Sequence, residues 1–236
     1  MKRLVLGPGG TAALTIFGFL KRLEHDGKID DLEEISASSA GALAAFCFLA
    51  KFSVEDCLKV DPSVLKPQIK NIKLGGLIDG SAVKPQMKSV ATFNEMYRDT
   101  GIKLHVAVTS LDKGCCEYLS VDTVPEMIVA DAIIASISVP FMFVPHMGYI
   151  DGSLTEELPV LPFVGRDFLA VRTPLVNSEN VFMRILLIIA NLRHTYDGPT
   201  IDLPVLPLNY LKFNLTHDDK MRLLMAGYSA PCSTAL

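Results

Sequence analysis

The chain has 236 residues, of which 50% are hydrophobic and 20% charged, with a formal net charge of −4. That composition supplies a large core and excludes an intrinsically disordered chain, while the acidic balance without a long basic run excludes nucleic acid as the expected partner. The cysteines Cys47, Cys57, Cys115, Cys116 and Cys232 are odd in number and lack metal-ligand spacing, as expected of reduced thiols in an intracellular, cytoplasmic compartment.

Arg3 to Leu6 reads as a short buried strand, Gly7-Pro8-Gly9-Gly10-Thr11 as a tight loop, and Ala12 to Glu24 as a helix with Ile16, Phe19, Leu20 and Leu23 on one face. The apolar beginning is not read as a signal peptide. The loop breaks it early, no small-residue cleavage site follows, and Lys21-Arg22-Leu23-Glu24 continues the helical period. Three functions compete for the loop. A nucleotide phosphate loop requires a Gly-Lys-Ser/Thr ending, which is absent. A dinucleotide-binding oxidoreductase would use Gly7, Gly9 and Ala12 in G-x-G-x-x-A spacing, with Asp30 or Asp31 as the ribose ligand, although these acids precede the second strand instead of closing it. An oxyanion hole would use the N–H groups of Gly9 and Gly10, with Thr11 beside them; Pro8 has none to offer.

Glu34 to Ser38 reads as a second strand, parallel to the first because a helix crosses between them. It runs into Ala37-Ser38-Ser39-Ala40-Gly41, then into Ala42 to Ala50, apolar nearly all round as in a buried helix. A nucleophile elbow forces its serine into a strained turn and needs small residues two before and two after it; around Ser39 these are Ala37 and Gly41. The alternative is an Ala/Ser-rich helix start with capping serines. Loop and elbow then lie side by side at the carboxyl ends of neighbouring strands, where a nucleophile and its oxyanion donors belong.

Further along, Val54 to Val60 reads as a short helix, Leu74 to Gly80 as a glycine-punctuated loop and Met87 to Tyr97 as a helix. Lys103 to Ser110 alternates as a strand, with Glu117 to Ser120 its partner across the Asp112-Lys113-Gly114 turn, and Val129 to Ser136 reads as a helix. Asp151-Gly152-Ser153 follows Tyr149-Ile150, and Asp79-Gly80-Ser81 repeats the tripeptide. Beyond residue 160, Met183 to Ala190 reads as a core or lid helix, the segment around Pro199, Pro204 and Pro207 as extended, and Asp218 to Tyr228 as a helix. No run reaches the roughly 18 uninterrupted apolar residues of a membrane span, so membrane contact is expected to be peripheral and transient.

The Gly9-Gly10 loop, the Ser38-Ser39-Ala40-Gly41-Ala42 elbow, the A-x-x-A-S-x-S-x-P-x-x-F-x-P run from Ala132 to Pro145, Tyr149-Ile150-Asp151-Gly152 and Leu158-Pro159-Val160 occur in that order. Together they closely resemble the patatin-like phospholipases over roughly residues 3 to 160. The resemblance implies a three-layer α/β/α sandwich with a central, largely parallel sheet, in one domain spanning residues 1–236. It implies a serine lipid acyl hydrolase, a phospholipase A-type enzyme or related esterase, cleaving phospholipid or other acyl-ester lipids without a cofactor. Ser39 would be the nucleophile and Asp151 the base of a Ser-Asp dyad, with Gly9 and Gly10 as oxyanion donors.

The chain departs from the family pattern in places: Ala37 stands for a glycine, and Pro8, Ala12 and Ala13 stand for the first glycine, the basic residue and the last glycine of the loop. The lost basic residue leaves a catalytically weak, lipid-binding relative as an alternative. Ser39, Asp151 and His217 also follow the α/β-hydrolase order of nucleophile, acid and base, but the elbow comes too early in the chain for that fold. The remaining histidines read as surface or structural residues, and no H-E-x-x-H signature suggests a metal.

Overall fold

A computed structural model of the protein describes residues 1–174, 196–206 and 214–231; the expected helix from Met183 to Ala190, together with His194, Pro207 and Cys232, lies outside the described residues. Among the described residues seven strands form one sheet: β1 (Arg3–Leu6), β2 (Glu34–Ser38), β3 (Lys103–Ser110), β4 (Cys116–Leu119), β5 (Tyr149–Asp151), β6 (Leu169–Arg172) and β7 (Thr200–Asp202). Their order is β4-β3-β2-β1-β6-β7, with β5 also paired to β3. β1, β2, β3, β6 and β7 run parallel, while β4 and β5 run antiparallel to β3. The α-helices of the described residues are α1 (Ala13–His25), α2 (Ala40–Leu49), α3 (Val54–Lys59), α4 (Phe93–Thr100), α5 (Val129–Ser136) and α6 (His217–Tyr228).

The alternation of a strand explains how the central β1 joins two cores. Leu4 and Leu6 enter the main core with Ile16, Phe19 and Leu20 of α1 and the apolar side chains of α2 and α5. Val5 points the other way, into a smaller cluster with Leu158, Val160, Phe163 and Ala170. Each fully buried Leu, Ile or Phe contributes roughly 1.5–3 kcal/mol of transfer free energy, so among the described residues the larger cluster carries most of the apolar burial. α6 lies directly on α1. A Cβ on Gly18 would overlap the Leu224 carbonyl, and one on Gly227 would overlap the Thr15 carbonyl, so two glycines let the helix backbones touch.

The largely parallel sheet flanked by helices agrees with the architecture expected from sequence, as do the parallel pairing of β1 with β2 and the β3–β4 hairpin. The helix expected over Met87 to Tyr97 is corrected: it starts at Phe93. Lys88 takes a left-handed φ of 48°, which no helix interior accommodates. Thr92 and Glu95 then form a capping box, with Glu95 N–H to Thr92 Oγ1 at 3.2 Å and Thr92 N–H to Glu95 Oε2 at 2.9 Å. The proline-bounded segment contains the short strand β7, paired with β6. Among the described residues no helix is long and apolar enough to cross a membrane.

Candidate active site

β2 ends by turning sharply into α2, and the turn is Ser39, at φ 50° and ψ −121°. A non-glycine residue held there costs about 1–3 kcal/mol, so its surroundings must over-determine it. Two features do so. The Ser39 N–H donates to Ser136 Oγ at 2.9 Å, and that hydroxyl donates onward to the Ala107 carbonyl of β3 at 2.8 Å. Behind the turn, α2 crosses β1 so closely that a Cβ on Gly41 would lie 2.6 Å from the Gly7 carbonyl oxygen and 2.7 Å from the Leu6 carbonyl carbon. Ala37, Ser38 and Ala40 are buried around the serine.

The register of β3 brings the aspartate to the serine. Ser38 of β2 stands opposite Ala107, and Asp151 of β5 stands opposite the next residue, Val108. β2 and β5 therefore meet end to end along β3, and Ser39 Oγ donates to Asp151 Oδ2 at 2.7 Å. Both residues are buried, Asp151 to 1% exposure. The carboxylate is fixed by its backbone: the Asp151 N–H donates to the Ser138 carbonyl at 2.9 Å, Thr109 Oγ1 donates to the Asp151 carbonyl at 2.9 Å, and Oδ1 accepts the Ser153 N–H at 2.9 Å. A Cβ on Gly152 would be 2.5 Å from the Ala107 carbonyl carbon, so this close junction requires glycine.

Asp79 makes the same turn, its Oδ1 accepting the Ser81 N–H at 2.9 Å. It is exposed and also accepts the Ser81 hydroxyl at 2.7 Å. The two Asp-Gly-Ser tripeptides thus share local geometry and differ in what the fold brings to the second oxygen.

The glycine loop is held without a basic residue. Gly7 N–H donates to the Val171 carbonyl at 3.0 Å, and Thr173 Oγ1 donates to the Pro8 carbonyl. Thr173 leaves no space for a Cβ on Gly9, and Gly10 takes a φ of 56°. Among the described residues the N–H groups of Gly9 and Gly10 have no hydrogen-bond acceptor. Gly10 lines the same cavity as Ser39 and Ala40.

That cavity has a volume of about 230 Å³, and its walls are apolar: Leu14, Phe17, Leu43, Phe46, Phe52, Met87 and Phe143 among them. Cys47 and Cys57 also line it. The hydrogen bond with Cys57, together with burial, holds the Cys47 thiol well above its ordinary pKa, so Cys47 is a neutral wall residue at physiological pH. Lys220, the one charged lining group among the described residues, turns its Nζ to the Leu58 and Val60 carbonyls at 2.8 and 2.6 Å, tying the carboxyl end of α3 to α6.

No histidine completes a triad among the described residues. His217 is exposed in the first turn of α6, capped by Thr216, and does not line the cavity. His105 stands 3.2 Å from Glu34 at the amino end of β2, and burial pushes its imidazole down to about 4. Asp30 and Asp31 precede β2 at that same amino end, whereas the glycine loop follows the carboxyl end of β1. The acid a dinucleotide site needs is therefore at the wrong end of the sheet. Among the described residues no group of His, Cys, Asp and Glu could hold a metal ion.

Sequence reasoning missed Ser136, Thr173 and Glu156. The buried Glu156 accepts the Val160 N–H at 2.9 Å, the Leu161 N–H at 3.3 Å and the Tyr118 hydroxyl, so it pins the Leu158-Pro159-Val160 stretch beside β2. Only Ser136 touches the elbow. Ser136→Ala would strand the buried Ser39 N–H and the Ala107 carbonyl, at about 1–3 kcal/mol. The expected outcome is a melting temperature lowered by about 2–12 °C, with reaction at Ser39 slowed about tenfold as the elbow loses its brace, checked by thermal unfolding and by the labelling rate of Ser39.

An α/β sheet with a serine elbow after its second strand and an aspartate delivered by an antiparallel strand defines the class of fold to which the chain belongs. The profile described as patatin-like phospholipase matches residues 4–164, and the chain is a member of that family. It is 32% identical over 177 residues to the triacylglycerol lipase ptl3 of Schizosaccharomyces pombe, covering 66% of this chain and 36% of that protein. The crystal structure of VipD from Legionella pneumophila superposes with a TM-score of 0.60 at 15% identity, covering 97% of this chain and 65% of that one. The chain thus spans little more than a third of the curated relative and about two thirds of VipD.

Proposed function

We propose that the chain is a serine lipid acyl hydrolase, with Ser39 as nucleophile, Asp151 as general base and the Gly9 and Gly10 N–H groups as oxyanion donors. The observation that carries this reading is the 2.7 Å hydrogen bond from Ser39 Oγ to Asp151 Oδ2 at the wall of an apolar cavity. Ser39 Oγ attacks the ester carbonyl and its proton passes to Asp151. The tetrahedral oxyanion faces the loop amides and the positive end of the α2 dipole. Collapse breaks the ester bond, and Asp151 returns the proton to the departing alcohol oxygen. Water, deprotonated by Asp151, then attacks the acyl-serine; the acyl–Oγ bond breaks, Asp151 returns the proton to Ser39 Oγ, and the acid is freed. The apolar cavity suits the acyl chain, which favours acyl-ester lipids, phospholipid or acylglycerol, over small polar esters.

A serine-directed fluorophosphonate probe tests the assignment. The expected result is a single label on the peptide containing Ser39, lost in Ser39→Ala and blocked by a long-chain acyl ester. A folded protein that takes no label, yet binds lipid, would overturn it in favour of a catalytically silent lipid-binding relative.

A further inference from the structure

We infer that the face formed by residues 64–77 is a docking surface for an anionic lipid bilayer. In a chain with a net charge of −4, residues 64–77 hold three lysines and no acid. Lys66, Lys70 and Lys73 are exposed and form no close ion pair among the described residues; the charge of Asp61 is felt at Lys66, while Lys70 and Lys73 stand beside no carboxylate. By contrast, Lys84 and Lys88 nearby are neutralised by Asp131 and Asp56.

The backbone sorts these residues onto edges. Ile69–Leu74 is a 3₁₀ helix, and at three residues per turn positions three apart eclipse one another. Ile69 and Ile72 share one edge, exposed by 84% and 58%, and Lys70 and Lys73 share the next. The third edge turns inward at Asn71, which is buried and donates from Nδ2 to the Leu77 carbonyl at 3.3 Å. Leu74, three residues after Asn71 at the last position of the helix, is exposed and extends the apolar area. Isoleucines standing in water next to unneutralised lysines fit an interface of acyl chains and anionic headgroups, where each edge finds its own complement. Nucleic acid would leave the isoleucines unsatisfied, and the face offers no aromatic side chain for stacking.

The face is rigidly joined to the cavity wall. Gln68 N–H donates to the Leu77 carbonyl at 2.7 Å, Leu77 and Ile78 N–H groups donate to the Met142 carbonyl at 3.0 and 2.8 Å, and Val144 N–H donates to the Ile78 carbonyl at 2.9 Å. Leu65, Val139 and Phe143 of this same unit line the cavity that holds Ser39. Docking through residues 64–77 therefore sets that wall against the bilayer. This goes beyond the hydrolase reading and does not depend on it, since adsorption requires no chemistry at Ser39.

The test uses the full chain carrying Ser39→Ala, so that binding is read without hydrolysis. Sedimentation with phosphatidylcholine vesicles is compared with vesicles also containing phosphatidylserine. Binding is expected to the mixed vesicles, weakening as salt rises, and to fall about fivefold per lysine removed in a Lys66→Gln, Lys70→Gln, Lys73→Gln variant, about a hundredfold together. The chain has no tryptophan, so Ile69→Trp supplies a single fluorophore even if the lysine variant folds poorly. Its emission should shift to the blue on mixed vesicles. Val164→Trp, beside Arg166 and its Glu34 partner at the opposite end of β2, should not shift. A folded protein that ignores mixed vesicles overturns the inference, as does equal binding to both kinds untouched by the lysine changes. A blue shift that grows with protein concentration without vesicles overturns it in favour of a second copy on this face.

Discussion

Asp151→Asn is expected to reduce acyl-ester turnover by about 10⁴-fold while moving the melting temperature by only a few degrees. Asparagine has the volume and shape of aspartate, and its amide oxygen can keep the Ser153 N–H that Oδ1 now accepts at 2.9 Å. The Asp151 N–H and carbonyl, bound to Ser138 and Thr109, are untouched. What disappears is the acceptor 2.7 Å from Ser39 Oγ that can take a full proton. The amide group has negligible basicity, so the attacking hydroxyl keeps its proton into the transition state, and what remains is the contribution of the loop amides and of binding. Because the cavity walls do not change, the loss should fall on kcat and leave KM nearly constant. Steady-state kinetics on a long-chain ester, with circular dichroism as the control for folding, decides it. An asparagine variant retaining a tenth of the activity would assign the proton to another group.

The sequence carried the local half of this site and not the long-range half. Small residues around Ser39 and the glycine loop after β1 are contiguous signals, and each is what a tight strand-to-helix turn or an exposed backbone amide requires. The choice between Asp79 and Asp151 is not local, because both tripeptides fold into the same turn. It rests on β5 pairing with β3 one residue beyond the end of β2, and the family resemblance pointed to Asp151 where spacing alone was silent. Ser136 reads as the last residue of a helix, and nothing nearby announces a partner 97 residues away. Thr173 is equally remote, 165 residues from the carbonyl it holds. β6 and β7, four and three residues long, are too short to show periodicity. The start of α4 is a different case. Thr92-Phe93-Asn94-Glu95 carries a capping-box pattern in the sequence itself, and reading the helix from Met87 passed over it.

The second large effect is expected at Gly41, where two opposing preferences make the sign informative. Gly41 lies in the first turn of α2 with ordinary helical geometry, so helix propensity alone predicts that Gly41→Ala stabilises the protein by up to about 1 kcal/mol. The fold predicts the opposite. The added Cβ would lie 2.6 Å from the Gly7 carbonyl oxygen and 2.7 Å from the Leu6 carbonyl carbon, and would overlap the Leu6 carbonyl oxygen. All of these are backbone atoms of the central strand and the loop after it, so no side chain can rotate away to relieve the contact. Either α2 lifts from β1, opening the buried contacts of Ala44, Ala45 and Phe46, or the glycine loop moves; overpacking of this kind costs about 3 kcal/mol. In a protein of this length that lowers the melting temperature by about 6–12 °C. Both relaxations also pull Ser39 away from Asp151 or Gly10 away from Ser39, so labelling of Ser39 should fall far more than stability does. Thermal unfolding and labelling rates measured on the same preparation separate the effects. A Gly41→Ala protein as stable and as reactive as the parent would show that α2 and β1 are not in backbone contact, and that the strained serine is not held by their close crossing.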